Sequence, residues 1–297
     1  MAHPDNAFYG HNRLLAAYDG RADTPIIRGQ VQHGWNNTTG IVMARHRVVR
    51  DLPKFVWSTN NLRRCREAGL GPATAIGAPF AYLAKARGAS PAPPPGSVIA
   101  YPAHSVPRER IHADHATMAA DLSSMDASIV TVCLYWYDHG QPAIRRLYED
   151  AGLEVISHGH RSDPAFLERQ HRALVAHEVL VTNRAASAMF YGILLGLRPR
   201  LLGPVFAHGD ASEADTFERY QRAAFPELYD AGATATDLMA LANRELGVDH
   251  LREPGELAEV LGWVGAPGRD AAYWLRTRSA HYARAVGHRI GIRGRAA

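Results

Sequence analysis

The chain has 297 residues, 46% of them hydrophobic, which is ample for a buried core and excludes a disordered reading. A formal charge of +4 without any basic run interleaved with aromatics argues against nucleic acid as a partner, and permits an anionic ligand or peripheral membrane contact. Cys65 and Cys133 stand alone and far apart, which excludes a disulfide framework and paired zinc spacing.

The reducing cytoplasm is therefore the expected compartment, with peripheral contact at the inner face of the membrane allowed. The opening "MAHPDNAFYGHNRLLAAYDG" has no basic segment followed by an apolar core, and no apolar run approaches the ~18 residues of a membrane span.

Residues 1–88 read as a small α/β lobe. "IIRGQVQ" and "KFVWS" have the composition of short strands, "NNLRRCREAGL" that of a helix opened by an Asn cap and closed near Gly69, and "TAIGAP" that of a further strand. "ASPAPPPG", residues 89–96, is barred from helix by its prolines and is expected to be an extended interdomain linker.

Over residues 97–210 the pattern is regular. "SVIAYP", "ASIVTVCLYW", "LEVISHG", "EVLVTN" and "RPRLLGP" are apolar, β-branched runs without strict alternation, as strands buried on both faces of a parallel sheet require. "QPAIRRLYEDAGL", "DPAFLERQHRALVAHE" and "RAASAMFYGILLGL" are helical stretches between them. The fold class is thus α/β with right-handed crossovers, followed over residues 211–297 by a helical tail that includes "DAAYWLRTRSAHYARAVG".

In such a sheet, ligands meet the loops at the carboxyl ends of the strands, where helix N-termini offer free backbone donors. Polar residues collect there: His104 and Ser105 after the first strand of this lobe, Asp138 and His139 after the second, His158, His160 and Arg161 after the third, Thr182, Asn183 and Ser187 after the fourth. Any of the last three also suits helix capping, and Asp163 before Pro164 reads as a simple N-cap.

The order of motifs resembles that of the GT-B glycosyltransferases, and within them the branch of capsule, surface-polysaccharide and CDP-glycerol transferases. It rests on "QHG" at Gln32 to Gly34, "IGAPFAYL" at Ile76 to Leu83, "YPAHS" at Tyr101 to Ser105 and "TNRAASAMFYGILLG" at Thr182 to Gly196. The resemblance implies two Rossmann-like lobes with a parallel sheet in each, the first one small. It also implies a nucleotide-activated sugar as co-substrate, with no further cofactor, and a glycan, lipid-linked or small-metabolite acceptor. On this reading the donor is bound by His104, Ser105, His160, Arg161, Thr182, Asn183, Arg184 and Ser187. Two departures are visible: little chain precedes "QHG", and "TNRAAS" stands where paired serines are common.

Glycosyl transfer must deprotonate an acceptor and stabilise a departing phosphate. His33 is expected as the base, with Gln32, Asn36 and Asn37 on the acceptor; otherwise His33 is a structural histidine, and Asp138, His139 or Asp114 would have to serve. A metal reading draws on His104, His112, Asp114, His115, His139, His158 and His160, with His112 and His115 at helical i, i+3 spacing, but neither HExxH nor Asp-x-Asp occurs. The alternatives to transfer are a nucleotide-sugar epimerase of the same fold and a non-catalytic sugar- or nucleotide-binding protein.

Overall fold

The computed structural model describes residues 3–35, 52–105, 113–204 and 211–264. The first lobe opens with a 3-10 turn, Pro4–Gly10, and helix α1 (His11–Tyr18), neither of which the sequence patterns announce. Its sheet is wholly parallel, in the order β1 (Gln30–Val31), β2 (Lys54–Val56), β3 (Ala73–Ala75). Helix α2 (Thr59–Glu67) connects β2 to β3, and α3 (Pro79–Arg87) follows. The cap of α2 is Ser58 and not an asparagine, because the Ser58 hydroxyl accepts from Asn61 N–H, while Asn60 lies in the first turn and accepts from Arg63 at 2.9 Å.

Residues 89–94 run without helix or strand into the second lobe. There β4 (Ser97–Tyr101), α4 (His115–Ser123), β5 (Ile129–Cys133), α5 (Trp136–His139), α6 (Pro142–Glu149), β6 (Glu154–Ile156), α7 (Phe166–Val175), β7 (Val179–Thr182), α8 (Ser187–Leu194) and β8 (Arg198–Leu201) alternate as the apolar runs predict. All five strands are parallel, in the order β6-β5-β4-β7-β8. Chain connections therefore leave β4 towards one edge and β7 towards the other, opening a crevice where these two strands end. Helix α4 begins at His115, with Asp114 as its cap, and His115 Nδ1 lies 2.7 Å from the Tyr148 hydroxyl, while His112 of the expected helical pair lies outside the described residues.

The described part of the C-terminal segment, residues 211–264, is largely helical and packs on both lobes. After α9 (Ala211–Ala224), helix α10 (Ala235–Leu246) opens with a Thr234 and Asp237 capping box and packs on α8, and α11 (Glu256–Leu261) covers the first lobe. Leu257 and Leu261 share a core with Ile27, Val31 and Phe55, while Leu241 and Leu246 join Trp57 and Phe80 of the first lobe to Leu180 and Phe190 of the second. The expected helix within residues 270–287 lies outside the described residues.

Gly247 marks the return of α10 to the first lobe. Its φ is +64°, and a Cβ there would lie 1.9 Å from the Trp57 carbonyl oxygen. Gly247→Ala combines backbone strain with a backbone clash and should cost about 2 kcal/mol or more. A urea midpoint unchanged from the wild type, followed by far-UV circular dichroism, would show that the α10 terminus can move without loss.

Candidate functional site

At the crevice beyond β4 and β7, a cavity of about 230 Å³ opens between the lobes. One wall is Tyr9, His33, Gly34 and Trp35, and the other is built from the loops after β4, β5, β6 and β7. Among the described residues no aspartate or glutamate lines it, whereas His33, His104 and Arg184 do. The N-terminus of α8, with Ser187 as its first residue, faces the same space and adds the positive end of the helix dipole. A cleft of about 720 Å³ lies under the proline-rich segment at the other end of β7 and β8, where Lys85 and Arg198 are paired with Glu253 and Glu178. Among the described residues, no helix N-terminus faces it.

The first-lobe wall is held by backbone and indole contacts. Gln32 is 2% exposed; its Oε1 accepts from Trp57 N–H at 3.0 Å and its Nε2 donates to the Gly34 carbonyl at 2.7 Å. Both ends of the amide expected to meet an acceptor are therefore engaged inside the loop. Trp35 then crosses to the second lobe: its N–H donates to Ser187 Oγ at 3.0 Å, and its Nε1 donates to Glu245 Oε2 at 2.9 Å. Its ring lies against Phe190 and Phe225. Between these anchors His33 is half-buried, edge-on to Phe8, and lines the cavity. Asn36 and Asn37 lie outside the described residues.

The loop after β4 is held from below. Asn183 Oδ1 accepts from Ala103 N–H and its Nδ2 donates to the Pro204 carbonyl, each at 2.9 Å. Asp138 Oδ2 accepts from Ser105 N–H at 3.0 Å, and burial lifts its carboxyl to about 6, an effect opposed by that hydrogen bond. Asn183, Asp138, Ser105 and the buried Thr182 thus sit beneath the cavity and do not line it. His139 on α5 is half-buried and off the lining, and exposed His160 accepts from Ser162 N–H at 3.1 Å. The Arg161 guanidinium lies 4.7 Å above the Phe8 ring. Of the expected site residues, the fold brings His33, His104, Arg184 and Ser187 to the cavity surface.

Several lining residues escaped the sequence reading of roles. His104 stacks on Tyr135 at 4.1 Å, and the Tyr101 hydroxyl lies 2.8 Å from His158 Nε2. Burial, reinforced by Arg169, lowers His158 to about 4, so it is a neutral partner for the phenol near pH 7. His158 is one of the strand-end polar residues and metal candidates of the sequence, Tyr101 ends a strand already singled out and could have been marked by position alone, and Tyr9 carries no such signal. Among the described residues no group of three His, Cys, Asp or Glu is placed to hold a metal ion, and His112 lies outside them. Among the described residues, no helix is long and apolar enough to cross a membrane.

No protein-family model and no curated protein matches the sequence. Among solved structures, the chain is similar to a point mutant of S. aureus TarM in complex with fondaparinux, alpha-GlcNAc-glycerol and UDP, at 12% identity and a TM-score of 0.32, over 75% of this chain and 43% of that one. It is also similar to the spinosyn rhamnosyltransferase SpnG with spinosyn aglycone, at 15% identity and a TM-score of 0.33, over 71% and 67% of the two chains. A third is Phytolacca americana UGT2 with UDP-2fluoro-glucose and pterostilbene, at 11% identity and a TM-score of 0.30, over 78% and 54%. The chain thus spans less than half the length of TarM, and likeness of this size leaves the functional reading to the site itself.

Proposed function

We propose that this chain is a nucleotide-sugar-dependent glycosyltransferase of GT-B type, acting on a glycan, lipid-linked or small-metabolite acceptor. The observation that carries the reading is the interlobe cavity at the strand-order reversal, lined by His33, His104 and Arg184, faced by the N-terminus of α8 and with no carboxylate among its described lining residues. That electrostatic character suits a diphosphate, and the cleft between lobes suits a ligand with two dissimilar ends.

In this reading the acceptor hydroxyl gives its proton to His33 as its oxygen bonds to the anomeric carbon. The bond from that carbon to the phosphate oxygen breaks, and the electron pair leaves with the nucleotide. Arg184, His104 and the α8 N-terminus stabilise the charge that develops there. Ser187 has a further part: its oxygen accepts from Trp35 N–H, and its hydroxyl, a hydrogen-bond partner of Tyr191, would turn its proton to a phosphate oxygen when the donor binds. The anion site and the loop bearing His33 would then share one hydroxyl.

Thermal-shift measurement with CDP, CMP, UDP, GDP and dTDP tests the binding half. A nucleotide at 100 times its dissociation constant should stabilise the protein by about 2.7 kcal/mol. His104→Ala and Ser187→Ala should each weaken that binding by about 1 to 3 kcal/mol, with His104→Ala the cleaner variant because Ser187 also holds Trp35. Full affinity in both variants would remove the phosphate assignment.

Catalysis is tested separately. Once a donor and acceptor are known, His33→Ala should keep the fold and donor affinity and lower turnover by about a hundredfold or more. Turnover at the wild-type level would return His33 to a structural role, and conversion of the donor sugar without any acceptor would indicate an epimerase.

A further inference from the structure

Tyr9 is the sole non-glycine residue with positive φ among the described residues, at φ 57° and ψ 12° within the 3-10 turn. A left-handed tyrosine costs roughly 1–2 kcal/mol, and glycine would follow the same path without that cost. The backbone is held there from several sides. Tyr9 N–H donates to the Arg161 carbonyl, and Gly10, also left-handed, is pressed so close to Pro164 that a Cβ would lie 2.0 Å from its carbonyl oxygen. The N-terminal segment is thereby fixed against the β6–α7 loop of the other lobe.

The strained path delivers a phenol to the cavity. The Tyr9 ring meets Phe166 edge-on at 4.8 Å, its side chain lines the cavity, and its hydroxyl faces that of Tyr135, a second lining residue. Burial raises the Tyr9 ionisation well above the usual tyrosine range, so the group stays a neutral hydroxyl that both donates and accepts. The cationic and helix-end groups of the site serve an anion, and these two phenols serve none. A pair of neutral donor-acceptor groups backed by aromatic rings, in a cavity with no carboxylate among its described lining residues, matches ligand groups that are themselves neutral donors and acceptors.

We propose that Tyr9 and Tyr135 form a recognition pair for vicinal hydroxyls of the bound nucleotide sugar, and that the left-handed turn at Tyr9 is retained to place its phenol in the cavity. The assignment rests on the proposed function above. The hydroxyls belong either to the ribose or to the transferred sugar, which share this chemistry.

Tyr9→Phe removes the hydroxyl and keeps the ring and the turn. Calorimetric titration of both proteins with UDP, CDP and GDP, with their 2′-deoxy forms, and with their glucose conjugates separates the outcomes. The variant should keep the fold, with only the modest fall in melting temperature that loss of the Tyr9–Tyr135 hydrogen bond brings, and bind about three- to tenfold more weakly. A loss on the ribonucleotide that disappears with its 2′-deoxy form assigns the pair to the ribose, and a loss confined to the glucose conjugate assigns it to the sugar. Full affinity for every probe the wild type binds, or an equal loss on a ribonucleotide and its 2′-deoxy form, overturns the pair and leaves the proposed function standing. Absence of wild-type binding to these probes and to CMP and dTDP as well ends both.

Discussion

Trp35 is where the two lobes become one structure. Its indole is 4% exposed, its ring sits among Phe190 and Phe225, and its two N–H groups are taken by Ser187 and Glu245 of the second half of the chain. Burying a large aromatic side chain contributes on the order of 2–3 kcal/mol, and withdrawing it would also leave the buried Glu245 carboxylate short of a donor. The segment that ends in Trp35 carries His33, so the position of that imidazole depends on contacts made across the cleft. A wide hinge opening of the lobes would have to extract this side chain, and smaller motions are the ones the packing leaves cheap.

The same principle of shared cores explains what was legible in the sequence. The five strands of the second lobe are β-branched runs buried on both faces, and their identity follows from composition because no other environment suits them. The first-lobe strands pair over only two or three residues, so their limits are set by neighbours more than by their own pattern. Helices α10 and α11 are readable as helices, but an amphipathic stripe says that a face is buried and not against what; here the answer is both lobes at once.

Within the candidate site, the positions of His104 and Ser187 were legible because topology fixes the ends of parallel strands and the starts of the helices that follow, while His33 and Arg184 were expected from the resemblance of the motifs that hold them. Gln32, Asp138 and Asn183 have equally polar side chains at equally suggestive places, yet all three turn inward to satisfy backbone groups. Residue type cannot separate these outcomes, since a buried amide or carboxylate and a ligand-facing one obey the same requirement for a partner. Tyr9 was illegible for another reason: its placement comes from a left-handed turn that tyrosine rarely adopts, imposed by contacts about 150 residues away in sequence.

The loop after β4 has a consequence for how this protein changes over generations. Asn183 and Asp138 consume the Ala103 and Ser105 amides, leaving those two main-chain donors nothing to offer a ligand. Main-chain donors are the same whatever the residue, so a loop that recognises through them is insensitive to substitution. This one presents the His104 ring to the cavity between two anchored amides, so preference for one ligand over another at that wall can be rewritten by a single codon while the loop keeps its shape.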